Sequence, residues 1–227
     1  MSAVKPIFFI TGTDTGVGKT VLTALLAQYL HQRGVRVAAL KPLCSGNRAD
    51  ALALHQALAG ILTLDEINPW HFRAPIAPLL AARREKKSVK LRSIIAHIRS
   101  IHKKSAFTLV EGAGGLLSPL GEGFDSLDLI TALRVRPIIV APNRLGTINH
   151  LLLTLKALSP SLRAQARIVL MSPPKPDSAT ASNAGLLAEF FPANRIHTLP
   201  WLGSSFSLTK TLPAKSIRTC LAKLVKP

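Results

Sequence analysis

The sequence predicts an α/β fold: a doubly wound, mostly parallel sheet with helices on both faces. Three observations predict it. Short apolar, β-branched runs alternate with amphipathic stretches, the pattern of successive βαβ units. The runs are almost free of charge, as strands buried on both faces must be. Hydrophobic residues make up 48% of the 227 residues and charged ones 18%, enough to fill a core and far from a disordered composition. No Pro/Gly-rich linker divides the chain, so one domain is expected over residues 1–227.

The elements follow in order. Strands are expected at 6–10, 35–40, 107–110, 137–141 and 167–171, with a weaker sixth at 195–199. Helices are expected over 20–33, 50–59, 88–102, 125–133, 149–158, 179–190 and near 214–224, with Gly34 ending the first and a Ser/Thr-rich surface loop at 204–213. Parallel neighbours need right-handed crossovers, and ligands on such sheets bind at the carboxyl ends of the strands. Asp14, Lys19, Arg33, Lys41 and later charges interrupt every apolar stretch, so no membrane span is expected. The first residues lead almost directly into a strand without the features of a secretory signal, which points to the cytoplasm. Cys44 and Cys220 make no disulfide framework, and the seven histidines show no metal-ligand spacing; His150 is expected at most to orient other groups.

Lys plus Arg total 29 against 11 Asp plus Glu, a net charge of +18. The cations are spread from Lys5 to Lys226, and the nearest approach to a patch is Arg83-Arg84-Glu85-Lys86-Lys87. The expected meaning is a solvated basic surface, a flank for phosphate ligands or a compositional habit of the source organism; nucleic acid is the less favoured partner.

The chemistry begins after the first strand. Thr11-Gly12-Thr13-Asp14-Thr15-Gly16-Val17-Gly18-Lys19-Thr20 leads straight into an amphipathic helix. Small residues let backbone N–H groups converge on phosphate oxygens, Lys19 reaches the β/γ-phosphates, and the Thr20 hydroxyl can ligate Mg²⁺. The spacing carries one residue more than the general phosphate-loop pattern between Gly12 and Gly18. A fold of the P-loop NTPase type follows. After the second strand come Lys41-Pro42-Leu43-Cys44-Ser45-Gly46 and then Asp50, which supply a cation for a transferring phosphoryl group, a hydroxyl and a carboxylate. Glu111, followed by Gly112-Ala113-Gly114-Gly115, ends another buried strand, where a carboxylate needs a partner. Thr20, Asp50 and Glu111 form the expected Mg²⁺ set.

Together with Asn68-Pro69, Leu145-Gly146, Ile148-Asn149-His150 and Pro200-Trp201-Leu202, these motifs resemble the dethiobiotin synthetases from about residue 7 to residue 202. The resemblance implies a homodimeric, Mg²⁺-dependent ligase of biotin biosynthesis. Such an enzyme uses ATP to close a cyclic urea from 7,8-diaminononanoate and CO₂ (or bicarbonate) through a carbamic-phosphoric anhydride. It makes Lys41 and Lys19 catalytic, and it places Thr15 and Ser45 against the diamine or its carbamate. The Gly146, Thr147, Ile148 and Asn149 turn is assigned to the substrate's distal carboxylate, received across subunits. The nucleotide is expected to touch Gly16, Val17, Gly18, Lys19, Thr20, Val21, Asp50, Glu111, Gly112, Ala113 and Gly114, and around the base Met171, Ser172, Pro200, Trp201 and Leu202.

The chain also departs from its relatives. Gly16 replaces a common Glu. Met171-Ser172-Pro173 stands where relatives commonly place Asn-Asp to recognise adenine, so relaxed base selectivity is expected. The alternative is a DNA-partitioning P-loop ATPase, which the charge favours. Against it, Thr11, Gly12 and Thr13 occupy the region where those ATPases carry an additional lysine.

Overall fold

The computed structural model describes residues 5–203 and 215–226. The expected loop at 204–213 lies outside the described residues. Six parallel strands form the main sheet: β1 (Ile7–Gly12), β2 (Val37–Leu40), β5 (Phe107–Glu111), β6 (Arg136–Pro142), β7 (Arg167–Met171) and β8 (Ile196–Leu199), in the order β2-β5-β1-β6-β7-β8. A second, two-stranded parallel sheet pairs β3 (Leu43–Ser45) with β4 (Trp70–Phe72). After β5 the chain crosses over β1 to begin β6, so the strand order reverses beside β1. That switch point is where open α/β sheets bind ligands.

Alternate strand residues feed two cores. Phe8 and Ile10 point to the layer of α1 (Lys19–His31), α2 (Ala49–Ala57) and α10 (Lys215–Leu224). Phe9 and Ile139 point to the layer of α5 (Leu91–Lys104), α6 (Ser126–Leu133), α7 (Thr147–Ala157) and α9 (Ser178–Ala188). In α5 the buried residues Ile94, Ile98 and Ile101 follow the spacing of one helical face. Asp125 and Asp177 lie one residue outside α6 and α9 and cap them, each accepting from the backbone N–H three residues on.

All six strands expected for the main sheet are present, and each of the seven expected helices is found with its ends shifted by up to three residues. The differences concentrate between residues 41 and 87. There the sequence suggested one helix, whereas the chain also builds β3, β4, α3 (Leu64–Ile67) and α4 (Pro78–Arg84). Thr63 and Glu66 close a reciprocal capping box on α3, and Pro78 starts α4 with a ring that needs no N–H. The short α8 (Pro160–Arg163) likewise starts on a proline.

Among the described residues, no helix is long and apolar enough to cross a membrane. Ala59, exposed just past α2, is held at φ 50° without a side chain that could bond locally. A left-handed alanine is strained by ~1–2 kcal/mol, partly offset by glycine's larger unfolded-state entropy. Ala59→Gly is therefore expected to stabilise the protein by ~0.5–1 kcal/mol and to raise the thermal midpoint by ~1–4 °C. A lowered midpoint in calorimetry would show that the turn is not strained.

Candidate active site

The phosphate loop spans the end of β1 and the start of α1. Gly18 serves as the N-cap of α1 at φ 99°, a conformation glycine adopts freely, and no side chain caps the helix. The first N–H groups of α1 are thus left for a ligand, whereas α3, α6 and α9 spend theirs on capping side chains. A Cβ on Gly18 would also come within 2.9 Å of Met171 Cε, so Met171, at the end of β7, lies directly against the loop. Lys19 Nζ donates to the Asp14 carbonyl at 2.7 Å, which folds the lysine back along the loop.

Lys41 is the centre of the site. It follows β2, its side chain is 4% exposed, and its Nζ donates to Glu111 Oε1 at 2.7 Å, Asp50 Oδ2 at 2.8 Å and the Gly112 carbonyl at 2.9 Å. Thr20 Oγ1 lies 2.8 Å from both Asp50 Oδ1 and Glu111 Oε1. Glu111 Oε2 is buried without a hydrogen-bond partner among the described residues. Burial opposes the Lys41 charge, but Glu111 and Asp50 outweigh it and hold its pKa above that of a free lysine. Burial likewise pushes the Asp50 carboxyl up, and Lys41 more than reverses this, leaving Asp50 below the ordinary range. Lys19 is shifted the other way: burial, and then repulsion from Lys41, lower it to about 8.

The second sheet holds this constellation in place. Asn68, 1% exposed, donates through Nδ2 to the Lys41 carbonyl at 2.7 Å, and the Trp70 N–H donates to the Pro42 carbonyl at 3.1 Å. Arg48, at the N-cap of α2, reaches Asn68 Oδ1, the Leu64 and Asn68 carbonyls and Asp65. This fastens the turn that delivers Asp50. Ser45 ends β3, and the following Gly46 carbonyl is hydrogen-bonded by His71 Nε2 at 2.7 Å.

An open cleft of about 730 Å³ gathers Thr15, Gly16, Gly18, Lys19, Thr20, Val21, Lys41, Ser45, Asp50, Glu111, Ala113 and Gly114. Val17 is buried beneath the loop, and Gly112 contributes its carbonyl to Lys41. The sequence reading missed one wall of the cleft: Cys44, Pro75, Ile76, Ala77, Pro78, Ser118 and Pro119. Burial pushes the Cys44 thiol up, away from thiolate reactivity. The prolines before and at the start of α4 were the one signal for this wall.

Other expected residues lie outside the cleft. Ser172 bonds through its N–H to the Leu199 carbonyl, and Pro200, Trp201 and Leu202 follow β8 with Trp201 52% exposed. Gly146, Thr147, Ile148 and Asn149 open α7, and they too are absent from the cleft lining.

The chain matches a family model described as an AAA domain over residues 7–206. An ATP-dependent dethiobiotin synthetase BioD of Anaeromyxobacter dehalogenans (strain 2CP-C) is 38% identical over 198 residues, covering 85% of this chain and 89% of the relative. The chain belongs to the dethiobiotin synthetase family. The enzyme of the same name from Bacillus subtilis (strain 168) is 42% identical over 154 residues, 66% of this chain and 67% of its own length. Among solved structures, a ParA family ATPase from Chlorobium tepidum superposes with a TM-score of 0.63 at 15% identity, covering 98% of this chain and 100% of that one. MinD from Aquifex aeolicus gives 0.57 at 13%, covering 96% of each. These two share the fold and nothing finer. The partitioning ATPase thus remains a distant structural neighbour.

Lys19 supplies a pH prediction. Below about pH 8 it is charged in the free protein; above that it is neutral, and a bound triphosphate must recover the proton. Affinity for a fluorescent, non-hydrolysable triphosphate analogue is therefore expected to be flat below pH 8. It should fall above pH 8 by at most about tenfold per unit, and Lys19→Arg should lose the slope because a guanidinium stays charged. A wild-type affinity that is flat to pH 9.5 would refute the lowered pKa.

Proposed function

We propose that this chain is an ATP-dependent dethiobiotin synthetase that closes the urea ring of dethiobiotin from 7,8-diaminononanoate, CO₂ and ATP. The observation that carries the reading is the Lys41 ammonium, shared between Glu111 and Asp50 beside the phosphate loop of a chain of this family. The reaction needs little covalent chemistry from protein groups. One amine of the diamine takes up CO₂ as a carbamate, a carbamate oxygen attacks the γ-phosphorus, and ADP departs. The second amine then attacks the carbonyl carbon, and phosphate leaves as the ring closes.

In this scheme Lys19 and Lys41 lie against the negative charge that spreads over the transferring phosphoryl oxygens. The uncapped N–H groups of α1 hold the phosphates. Thr15 and Ser45 receive the amines or the carbamate. The apolar wall of Pro75, Ile76, Pro78 and Pro119 suits the hydrocarbon chain that joins the amines to the distal carboxylate.

Thr20, Asp50 and Glu111 would hold Mg²⁺. The fit rests on a hard oxygen donor set and on the orphaned, buried Glu111 Oε2. When bound, Mg²⁺ screens charge between the β- and γ-phosphates. Met171 and Ser172, with Pro200, Trp201 and Leu202, flank the base. A methionine offers a base edge contact area and no paired hydrogen bonds, which supports use of other triphosphates besides ATP.

A homodimer completes the proposal. The Gly146–Asn149 turn lies outside this chain's own cleft, and Thr147 Oγ1 there is buried with no partner among the described residues. In a dimer the turn would receive the carboxylate of a substrate bound to the other subunit. Leu145 and Leu153, 79% and 59% exposed, flank it and would be covered in a dimer.

Purified protein mixed with 7,8-diaminononanoate, bicarbonate, Mg²⁺ and each of four nucleoside triphosphates should yield dethiobiotin by mass spectrometry, together with phosphate. Absence of product with every nucleotide would overturn the assignment. An ATP preference above ~100-fold over the other three would overturn the relaxed base selectivity, since one paired polar contact is worth about 1–3 kcal/mol. Lys41→Met is expected to lower kcat by at least ~100-fold with the fold intact by circular dichroism, as for loss of a preorganised charge. Retention of more than about a tenth of wild-type kcat would remove Lys41 from the electrostatic role.

A further inference from the structure

The fold gathers cations that the sequence scatters. The segments leading into β2, β5, β6, β7 and β8 hold a single acidic residue, Glu189. Arg36 precedes β2, Arg136 opens β6, Arg167 opens β7 and Arg195 precedes β8, while Lys5 stands before β1 and Lys223 in the last turn of α10. Because the strands are parallel, their starting ends share one rim, opposite the carboxyl ends that carry the active-site cleft.

The register draws the rim together. Arg136 pairs with Phe8 across β1 and β6, and Arg167 pairs with Ile138 across β6 and β7. Both guanidiniums lie over the Phe8 ring, 5.8 and 5.2 Å from its centroid. Arg167 also donates to the Leu224 and Lys226 carbonyls at the end of α10.

Among the described residues, no carboxylate pairs with any of these six cations. Burial, then Arg136 and Arg195, depress the Arg167 pKa; burial, then Arg167 and Lys223, bring His197 down to about 4; burial, then Lys5, depress His102. The described charges that shift these three groups are all positive. Lys104, at the end of α5, is set apart because Glu66 faces it. The helix C-termini at this rim offset only about half a charge each.

We propose that this rim binds the phosphodiester backbone of a nucleic acid, without regard to sequence. Arg136, Arg167 and Arg195 stand at or just before the starts of three adjacent strands about 4.8 Å apart; Arg167 is held by the two carbonyls, and the planar forks of Arg136 and Arg195 match phosphate oxygens bidentately. Of the large apolar side chains that are exposed among the described residues, only Phe190 stands in the segments that supply the cations, while others such as Leu145 and Leu153 lie outside them. One exposed ring falls far short of the apolar face with which an interfacial surface enters a bilayer. The proposal is independent of the ligase reaction, whose residues sit at the other end of the sheet.

The test is fluorescence anisotropy of the full chain with a labelled random-sequence 30-base-pair DNA duplex, from 50 to 200 mM KCl. The triple variant Arg136→Gln, Arg195→Gln, Lys223→Gln is compared with a charge-matched control away from the rim, Arg84→Gln, Lys90→Gln, Arg92→Gln. Binding with Kd in the micromolar range at 50 mM KCl is expected. The rim variant should lose at least about tenfold and flatten the slope of log K against log salt by about 3, while the control stays within about threefold of wild type.

No binding at 50 mM KCl, or equal loss in both triple variants, overturns the proposal. So does binding to vesicles of anionic phospholipid without binding to DNA. If the rim variant fails to fold, acetylation of the wild type with and without DNA decides: Lys5 and Lys223 must be protected and Lys90, at the N-cap of α5, must not.

Discussion

A lysine that keeps 4% of its side chain in contact with solvent cannot carry its charge without partners, and the partners of Lys41 come from two distant parts of the chain. Glu111 arrives on β5, Asp50 on α2 and the Gly112 carbonyl on the loop after β5. Bringing them within 2.9 Å requires β5 to lie beside β2, which the sheet register provides through Leu40 and Val110. A buried pair of this kind adds little net stability, because desolvation consumes most of the attraction. Removing one partner, however, typically costs about 3–5 kcal/mol. Such an arrangement makes sense as chemistry, and the neighbouring structure serves it: Asn68 holds the Lys41 carbonyl, and Arg48 ties the start of α2 to Asn68 and α3.

The same carboxylates explain why two lysines in one cleft are driven in opposite directions. Lys41 touches both acids and is held charged; Lys19, farther from them and repelled by Lys41, is loosened to about 8. Glycines let the phosphate loop turn tightly enough to leave the first N–H groups of α1 unspent, and Lys19 bonds a loop carbonyl that a phosphate oxygen could replace. The loop therefore offers donors whose present partners are weak, while Lys41 is committed to strong ones.

How much of this the sequence disclosed follows from physical range. Strands buried on both faces announce themselves as uncharged apolar runs, so the main sheet was legible, and Gly-Lys-Thr after a strand made the phosphate loop legible too. The 41–87 region was not, because β3, β4 and α3 are three or four residues long and too short to show a period. Its signals were local: the Thr63-x-x-Glu66 capping box and the prolines at 75 and 78. Asn68 stood out as part of a motif, yet its partner is a backbone carbonyl 27 residues away, which leaves no pattern in the sequence. The apolar wall of the cleft escaped for the same reason, since Ile76 and Pro119 meet only in three dimensions.

Charge balance joins the site to the rest of the molecule. Within the cleft, Lys19 and Lys41 are offset one for one by Asp50 and Glu111, so the side chains there supply almost no net attraction for an anion. A triphosphate brings more negative charge than one divalent cation removes, and a carbamate adds to it. The excess must be met by α1, whose unspent N–H groups carry its positive dipole end, and by the field of a chain with net charge +18. Carboxylates fixed at one end of the sheet, and cations without ion pairs among the described residues at the other, give that field a direction. That direction favours the far rim over the cleft for an anion, so what holds a phosphate in the cleft is short-range: the unspent N–H groups of α1 and the placement of Lys19 and Lys41.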